Sequence, residues 1–141
     1  MHNNLLCILG PTGSGKTRYL QTMERTLAAS SGGKVLRIGA EALVSDMVAA
    51  IGLGLVGMDL FRRHYLRIDN LLIDNLWVLA SRPAAAIEIG RLIRDRRHAG
   101  RMTAVASDLS PEEWGEKSRG LCDVLAGGER VELARGDHDR S

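Results

Sequence analysis

Gly10-Pro11-Thr12-Gly13-Ser14-Gly15-Lys16-Thr17 meets the spacing G-x-x-x-x-G-K-[ST] at every defined position. Just before it, Leu5-Leu6-Cys7-Ile8-Leu9 is an unbroken apolar run, the mark of a strand covered on both faces. Just after it, Tyr19, Leu20, Met23 and Leu27 fall at helical spacing and predict a helix from about Lys16 to Ala29, stopped by Ser30-Ser31-Gly32-Gly33. Strand, glycine-rich turn and helix in that order form a phosphate loop. The glycines let the backbone curl so that successive N–H groups point at phosphate oxygens, and the helix N-terminus adds its partial positive charge. In such a loop Lys16 reaches the β and γ phosphates and the Thr17 hydroxyl ligates Mg²⁺. A dinucleotide fingerprint fails, because Gly13-x-Gly15 is followed by Arg18 where the third glycine would stand.

Outward from the loop, strands and helices alternate. Val35-Leu36-Arg37-Ile38 reads as a second strand, and Leu43, Val44, Met47, Val48 and Ile51 form one stripe of a helix. Gly52, Gly54 and Gly57 are expected to loosen the chain before a shorter helix from about Met58 to Tyr65. Leu71-Leu72-Ile73-Asp74 is the third strand. Ile87, Ile89, Leu92 and Ile93 support a helix from about Arg82 to His98, and Met102 to Ala106 reads as the fourth strand. Ser110-Pro111-Glu112-Glu113 supplies an N-cap, a proline at the first helical position and acids in the first turn, so one last helix is expected from there to Gly127-Gly128. Val131-Glu132-Leu133 is a fifth strand, and Ala134 to Ser141 a polar tail expected to fray. Strict alternation implies an α/β domain over residues 1–133, with parallel strands, right-handed crossovers and helices on both faces in three layers. Ligands then bind beyond the carboxyl ends of the strands.

Length and composition set the outer bounds. The 141 residues suit one domain, and 45% apolar with 26% charged residues describes a chain able to bury a core. Nineteen Lys+Arg against seventeen Asp+Glu give a net charge of +2, so charge alone points to no partner. Cys7 and Cys122 match neither a disulfide framework nor a zinc site. The uncharged run from Met47 to Met58 falls short of the ~20 residues a membrane helix needs. No basic region precedes the first apolar stretch, so the cytoplasm is the expected compartment, with no membrane partner.

Three further sets of residues bear on chemistry. Asp74 ends the third strand at the edge where the first strand presents its loop, suited to hold Mg²⁺ directly or through water. Ser107-Asp108 ends the fourth strand at the same edge; sensing a γ-phosphate and ordinary turn chemistry both remain open. Arg91, Arg94, Arg96, Arg97 and Arg101, with a smaller group at Arg62, Arg63, His64 and Arg67, leave open either phosphate-backbone binding or a solvated basic face. Trp77 and Trp114 could stack bases or simply pack.

With these residues placed, the chain resembles the nucleotide-binding core of the bacterial DnaA replication-initiator family and its regulatory relatives of the Hda type, from about Asn4 to Leu133. The resemblance rests on Lys34-Val35-Leu36-Arg37-Ile38 followed by Ala40 to Val48, and on Phe61-Arg62-Arg63-His64-Tyr65 leading through Ile68-Asp69 into Leu71-Leu72-Ile73-Asp74. Ala106-Ser107-Asp108-Leu109-Ser110-Pro111 is similar to that family's sensor strand end, which places Asp108 at the sensor position. The likeness implies an AAA+ P-loop NTPase core with sheet order 5-1-4-3-2, ATP or ADP with Mg²⁺ as ligand, and helices between strands two and three that touch single-stranded DNA in the initiator. Among site residues it implies Gly10, Pro11, Thr12, Gly13, Ser14, Gly15, Lys16 and Thr17 on the nucleotide, Thr17 and Asp74 on the metal, and Lys16, Asp74 and Asp108 at the reacting phosphate.

The departures from the family carry expectations too. Asn75 stands where the family has a second acid, and the stretch near Gly120-Leu121-Cys122-Asp123-Val124-Leu125 lacks the family's finger arginines, with Arg119 one place early. Slow or absent hydrolysis is therefore expected. The likeness also implies a core without the family's lid subdomain, adenine-enclosing segment or helix-turn-helix module, so the expected role is an accessory one: an ATP- or ADP-binding protein of replication initiation or its control, with DnaA-type or other replication proteins as partners and weak single-stranded DNA binding. A DnaC- or IstB-like ATP-dependent loader of a helicase or transposase and a small P-loop kinase are the alternatives. A relic that binds nothing is the bland one.

Overall fold

The computed structural model describes residues 3–30 and 33–134. Ser31 and Gly32 of the expected helix stop, and the expected tail from Arg135 to Ser141, lie outside the described residues. The elements are β1 (Leu5–Leu9), α1 (Lys16–Ser30), β2 (Val35–Gly39), α2 (Ala40–Ile51), α3 (Gly54–Arg67), β3 (Asn70–Asp74), a 3-10 helix (Leu76–Ser81), α4 (Pro83–His98), β4 (Met102–Ser107), α5 (Pro111–Trp114), α6 (Arg119–Ala126) and β5 (Glu129–Glu132). The five strands form one parallel sheet in the order β2-β3-β4-β1-β5, the order expected from the resemblance.

The apolar runs work because side chains alternate across a strand. Leu5, Cys7, Leu9, Leu71, Ile73 and Val105 face one layer, where they pack with residues of α2, α3, α4, α5 and α6. Ile8, Leu72, Ala104 and Ala106 face the other, under Tyr19, Leu20, Met23 and Leu27 of α1. Three layers result. The central strands are apolar throughout because both their faces are covered.

The structure corrects four boundaries. Helix α3 begins at Gly54, not near Met58, since the glycines make a tight helical corner instead of a loose segment. Gly54 takes φ +76°, a conformation that glycine adopts without steric cost, and a Cβ on Gly57 would lie 2.2 Å from the Ala50 carbonyl oxygen. The 3-10 helix was not read at all; it is anchored by buried Leu76 and Leu79. The single last helix is two. Ser110 and Glu113 form a reciprocal capping box on α5, but Ser118 then caps a new helix by accepting from the Leu121 N–H at 3.4 Å. Finally, β5 runs Glu129–Glu132, two residues earlier than expected, because this charged edge strand pairs through its backbone with Leu6 to Leu9 and shows no apolar pattern.

Arg96 is the interior's exception. It is fully buried on α4 and donates to Thr103 Oγ1 at 2.9 Å and to the carbonyl oxygens of Tyr65, Ile68 and Met102 at 2.7, 2.5 and 2.6 Å. Its guanidinium is lowered to about 10 by burial first and by the neighbouring Arg101 charge second, with Asp69 opposing. Arg101 in turn bonds Asp69 at 2.6 Å. The row of arginines from Arg91 to Arg101 is therefore no single basic face: Arg96 and Arg101 tie α3, β3 and β4 together at the sheet's amino edge, and Arg97 donates to the Gly127 carbonyl at 2.8 Å.

Candidate functional site

At the opposite edge, the chain leaves β1 into the glycine-rich loop. Gly13 and Gly15 have φ of +85° and +91°, values that side chains disfavour, and a Cβ on Gly10 would lie 2.5 Å from Ser14 Oγ. The loop closes with Ser14 N–H to Pro11 O at 3.1 Å, and the Tyr19 N–H bonds Gly15 O at 2.9 Å to start α1. The N–H groups of Lys16 and Thr17 precede that bond and are those a helix N-terminus presents to an anion. Ser14 Oγ, buried in the loop, has no hydrogen-bond partner among the described residues.

Three side-chain pairs cross from the loop to two neighbouring strand ends. Lys16 Nζ donates to the carbonyls of Gly10 and Pro11 at 2.6 and 2.9 Å and pairs with Asp108 Oδ1 at 2.7 Å, while Thr12 Oγ1 donates to Asp108 Oδ2 at 3.1 Å. Thr17 Oγ1 donates to Asp74 Oδ2 at 2.8 Å. Asp74 is reached because β3 stops where Gly39 of β2 also stops, both strands being in register. Asn75 follows in the left-handed conformation, φ 56° and ψ 50°, donating its N–H to Asp74 Oδ1 and its Nδ2 to Glu41 Oε1, both at 2.8 Å.

These residues surround one open cavity of about 680 Å³, lined by Thr12, Gly13, Gly15, Lys16 and Thr17 of the loop, Arg37, Gly39 and Glu41 at the exit of β2, Asp74 and Asn75, and Asp108. A second cavity of about 510 Å³ meets the loop at Ser14 and Gly15 and runs along α1 over Tyr19, Met23, Leu27 and Leu133. The two differ in chemistry: one is charged, the other apolar. In the charged cavity Glu41, Asp74 and Asp108 outnumber Lys16 and Arg37, and Arg37 is itself paired with Glu24 at 2.8 Å.

The loop, Asp74 and Asp108 are thus brought together as the sequence suggested. Ser107 is separated from them: it is buried, accepting from Trp114 Nε1 at 3.0 Å and from the Leu109 N–H at 3.1 Å. Trp114 is wholly buried and packs, whereas Trp77 is half-exposed on the 3-10 helix. Arg119 is exposed at the start of α6 and does not line the cavity. Arg62 bonds Glu88 at 2.8 Å, and Arg63 is paired with Asp59 one helical turn back. Arg37 and Glu41 were missed. The signal lay in the strand order, which sets the end of β2 next to the end of β3 and so carries the first turn of α2 to the rim.

A family model described as the bacterial DnaA ATPase domain matches residues 1–129. Chromosomal replication initiator protein DnaA 1 of Chlamydia pneumoniae is 32% identical over 108 residues, covering 77% of this chain and 23% of that protein. The crystal structure of domain III of the Thermotoga maritima replication initiation protein DnaA superposes with a TM-score of 0.83 at 25% identity, covering 94% of this chain and 55% of that one. A replication initiator DnaA bound to AMPPCP and single-stranded DNA superposes at 0.82 with 27% identity, over 93% of this chain and 40% of that one. The DnaC helicase loader shares the fold, with a TM-score of 0.74 at 14% identity. The chain spans about a quarter of the length of the curated relatives it matches. Among the described residues no helix is long and apolar enough to cross a membrane.

Proposed function

Because the chain belongs to the bacterial DnaA ATPase-domain family, we propose that it is a DnaA-like nucleotide-binding module of replication initiation or its regulation, taking ATP or ADP with Mg²⁺ at the cavity around Gly10 to Thr17. One observation carries this reading: Thr12, Gly13, Gly15, Lys16 and Thr17 of the loop line one cavity with Asp74, which pairs with Thr17, at the carboxyl edge of the sheet. The loop N–H groups and Lys16 bind and orient the phosphates. Phosphate displaces the carbonyl and Asp108 partners that hold Lys16, and Asp108 then faces the terminal phosphate.

The donor set fits Mg²⁺. A hydroxyl and a carboxylate 2.8 Å apart are hard oxygen donors, and this ion takes one or two protein oxygens with substrate phosphates completing its shell. Its positive charge is also needed where carboxylates outnumber cations. Mg²⁺ held by Thr17 and Asp74 would neutralise charge on the β and γ phosphates. The apolar wall of Tyr19, Met23 and Leu133 next to the loop suits a base.

Turnover is read as slow, since Asn75 cannot take a proton from water and Arg119 stands away from the cavity. Single-stranded DNA is a second, weak ligand. The likeness to the DNA-bound initiator supports it, while the pairing of Arg62 and Arg63 with acids limits the charge available to phosphates. Calorimetry with ATP, ADP and Mg²⁺ tests the main reading: wild type binds and Lys16→Ala does not, and equal affinity of the two overturns it.

A further inference from the structure

The corner between α2 and α3 turns apolar residues outward as well as inward. Ala50 and Gly57 are buried in it and hold the two helices together, while the six consecutive residues from Ile51 to Val56 are all exposed. Leu55 is 91% exposed and Leu53 73%; Val48 and Ile51 on α2, with Val56 and Leu60 on α3, each show more than half of their surface. No charged and no aromatic residue falls between Asp46 and Asp59. Single apolar side chains at a surface are ordinary, but a contiguous set at one corner marks a docking surface.

The chemistry of the corner selects its occupant. Nucleic acid calls for rings on which bases stack and for unpaired cations, and an anionic membrane for a basic flank. The corner has no ring, and the arginines next to it are engaged: Arg62 donates to Glu88 at 2.8 Å, and Arg63 pairs with Asp59. An uncharged surface suits its own image, because a twofold axis lays the patch against itself and any charge at the centre would oppose its own copy. The rim fits as well. Asp59 and Arg63 lie one turn apart with side chains 54% and 60% exposed, so the rim carries both signs and each residue can turn to the opposite one of a second copy. Six aliphatic side chains, each showing over half of its surface, offer on the order of 400 Å² of apolar area. With an apolar share of ~65%, the two copies together bury roughly 1,200 Å², the lower end for a specific interface.

We infer that the α2–α3 corner is the contact of a twofold-symmetric homodimer, with a Kd of about 1–100 μM as befits so small an interface. The inference goes beyond the nucleotide reading and stands apart from it, since none of the six corner side chains lines the cavity around Lys16. In the dimer Leu55 and Val56 meet their counterparts at the centre. Asp59 of each copy pairs with Arg63 of the other, and the loop from Gly10 to Thr17 takes no part.

The test is sedimentation equilibrium of the full chain at roughly 1–500 μM, with melting followed by circular dichroism beside it. Wild type should pass from monomer to dimer across that range and stop there, in high salt as in low, because apolar burial is not screened. Leu55→Asp should weaken the dimer at least ~10-fold with melting unchanged, since Leu55 stands clear of the monomer's core and an acid suits the first turn of α3. At low salt Asp59→Arg and Arg63→Asp should each weaken the dimer by setting like charges across the axis. An equimolar mixture of those two variants should dimerise at least as tightly as wild type, because it sets two cations of one copy against two acids of the other. Lys16→Ala should dimerise as wild type does, so failure of the nucleotide reading and failure of the dimer are told apart. A wild type that stays monomeric to about 500 μM overturns the inference, whether or not lipid vesicles or an oligonucleotide bind the corner instead. So does a Leu55→Asp dimer as tight as wild type, so does growth beyond the dimer, and so does a mixture no tighter than either rim variant alone.

Discussion

Truncating Arg96 should cost this protein much of its stability. The side chain makes four hydrogen bonds from a fully buried position, three of them to backbone carbonyls, of which those of Tyr65 and Ile68 are bonded in the interior. A hydrogen bond contributes a net ~1 kcal/mol, and one from a charged donor ~1.5–3 kcal/mol, while an acceptor left buried and unpaired costs ~1–3 kcal/mol. Against these, truncation recovers the cost of holding a guanidinium away from water, visible in its lowering to about 10. Netting four bonds at the neutral value and adding the empty volume gives ~3–5 kcal/mol for Arg96→Ala, out of a usual total of ~5–15 kcal/mol. Arg96→Lys should lose about half as much, since one ammonium nitrogen cannot span acceptors on α3, β4 and the β3 approach. Urea unfolding followed by circular dichroism checks this. With a slope of ~1–3 kcal/mol per molar, the alanine midpoint should fall by about 2 M. Midpoints for both variants within ~0.3 M of wild type would refute the claim that these bonds fasten the amino edge of the sheet.

Stability should fall on the alkaline side as Cys7 ionises in the unfolded chain: burial raises its thiol from 9.0 to about 11, with Arg130 and Arg97 opposing, so its contribution is whole below pH 9 and declines by about 2–3 kcal/mol as pH rises through 11. Melting curves between pH 8 and 11 should show this slope in wild type and a flatter one in Cys7→Ala; parallel slopes would count against it. Gly57→Ala should destabilise by ~1–3 kcal/mol, because the new Cβ meets the Ala50 carbonyl oxygen at 2.2 Å, and a melting temperature equal to wild type would show that the α2–α3 corner yields freely. Binding of a fluorescent single-stranded oligonucleotide should be weak, indifferent to sequence and lost between about 50 and 200 mM salt; salt-insensitive binding would exclude phosphate contacts as its source.

The loop and the alternation were legible because each has a strong local signature: glycines at fixed spacing, apolar runs of five, and stripes at helical spacing; the sheet order followed from the family resemblance. The α3 start was not, because the same glycines signal both looseness and close approach, and only the position of the Ala50 carbonyl distinguishes them. Strand β5 hid for the opposite reason, being held by backbone pairing while its side chains Glu129, Arg130 and Glu132 face water or Glu112. At the site, Lys16, Thr17, Asp74 and Asp108 could be placed one by one from strand ends. Glu41 could not, since it is an ordinary helix-opening acid until β2 and β3 are laid side by side. The arginine row misled because Arg96 and Arg101 look like their solvated neighbours in one dimension, and only the fold separates inward from outward positions on α4.

All five strands run the same way, so the two rims of the sheet are chemically unlike. One rim collects Asp69, Arg96 and Arg101, which address carbonyls, a hydroxyl and each other. The other collects Lys16, Glu41, Asp74 and Asp108, which address the cavity. Strands such as β3, from Asn70 to Asp74, and the helices that return between them join the two rims. Rigidity and ligand chemistry are therefore carried by different residues: acids and amides at one rim can be exchanged while the fastening at the other keeps the strands in register.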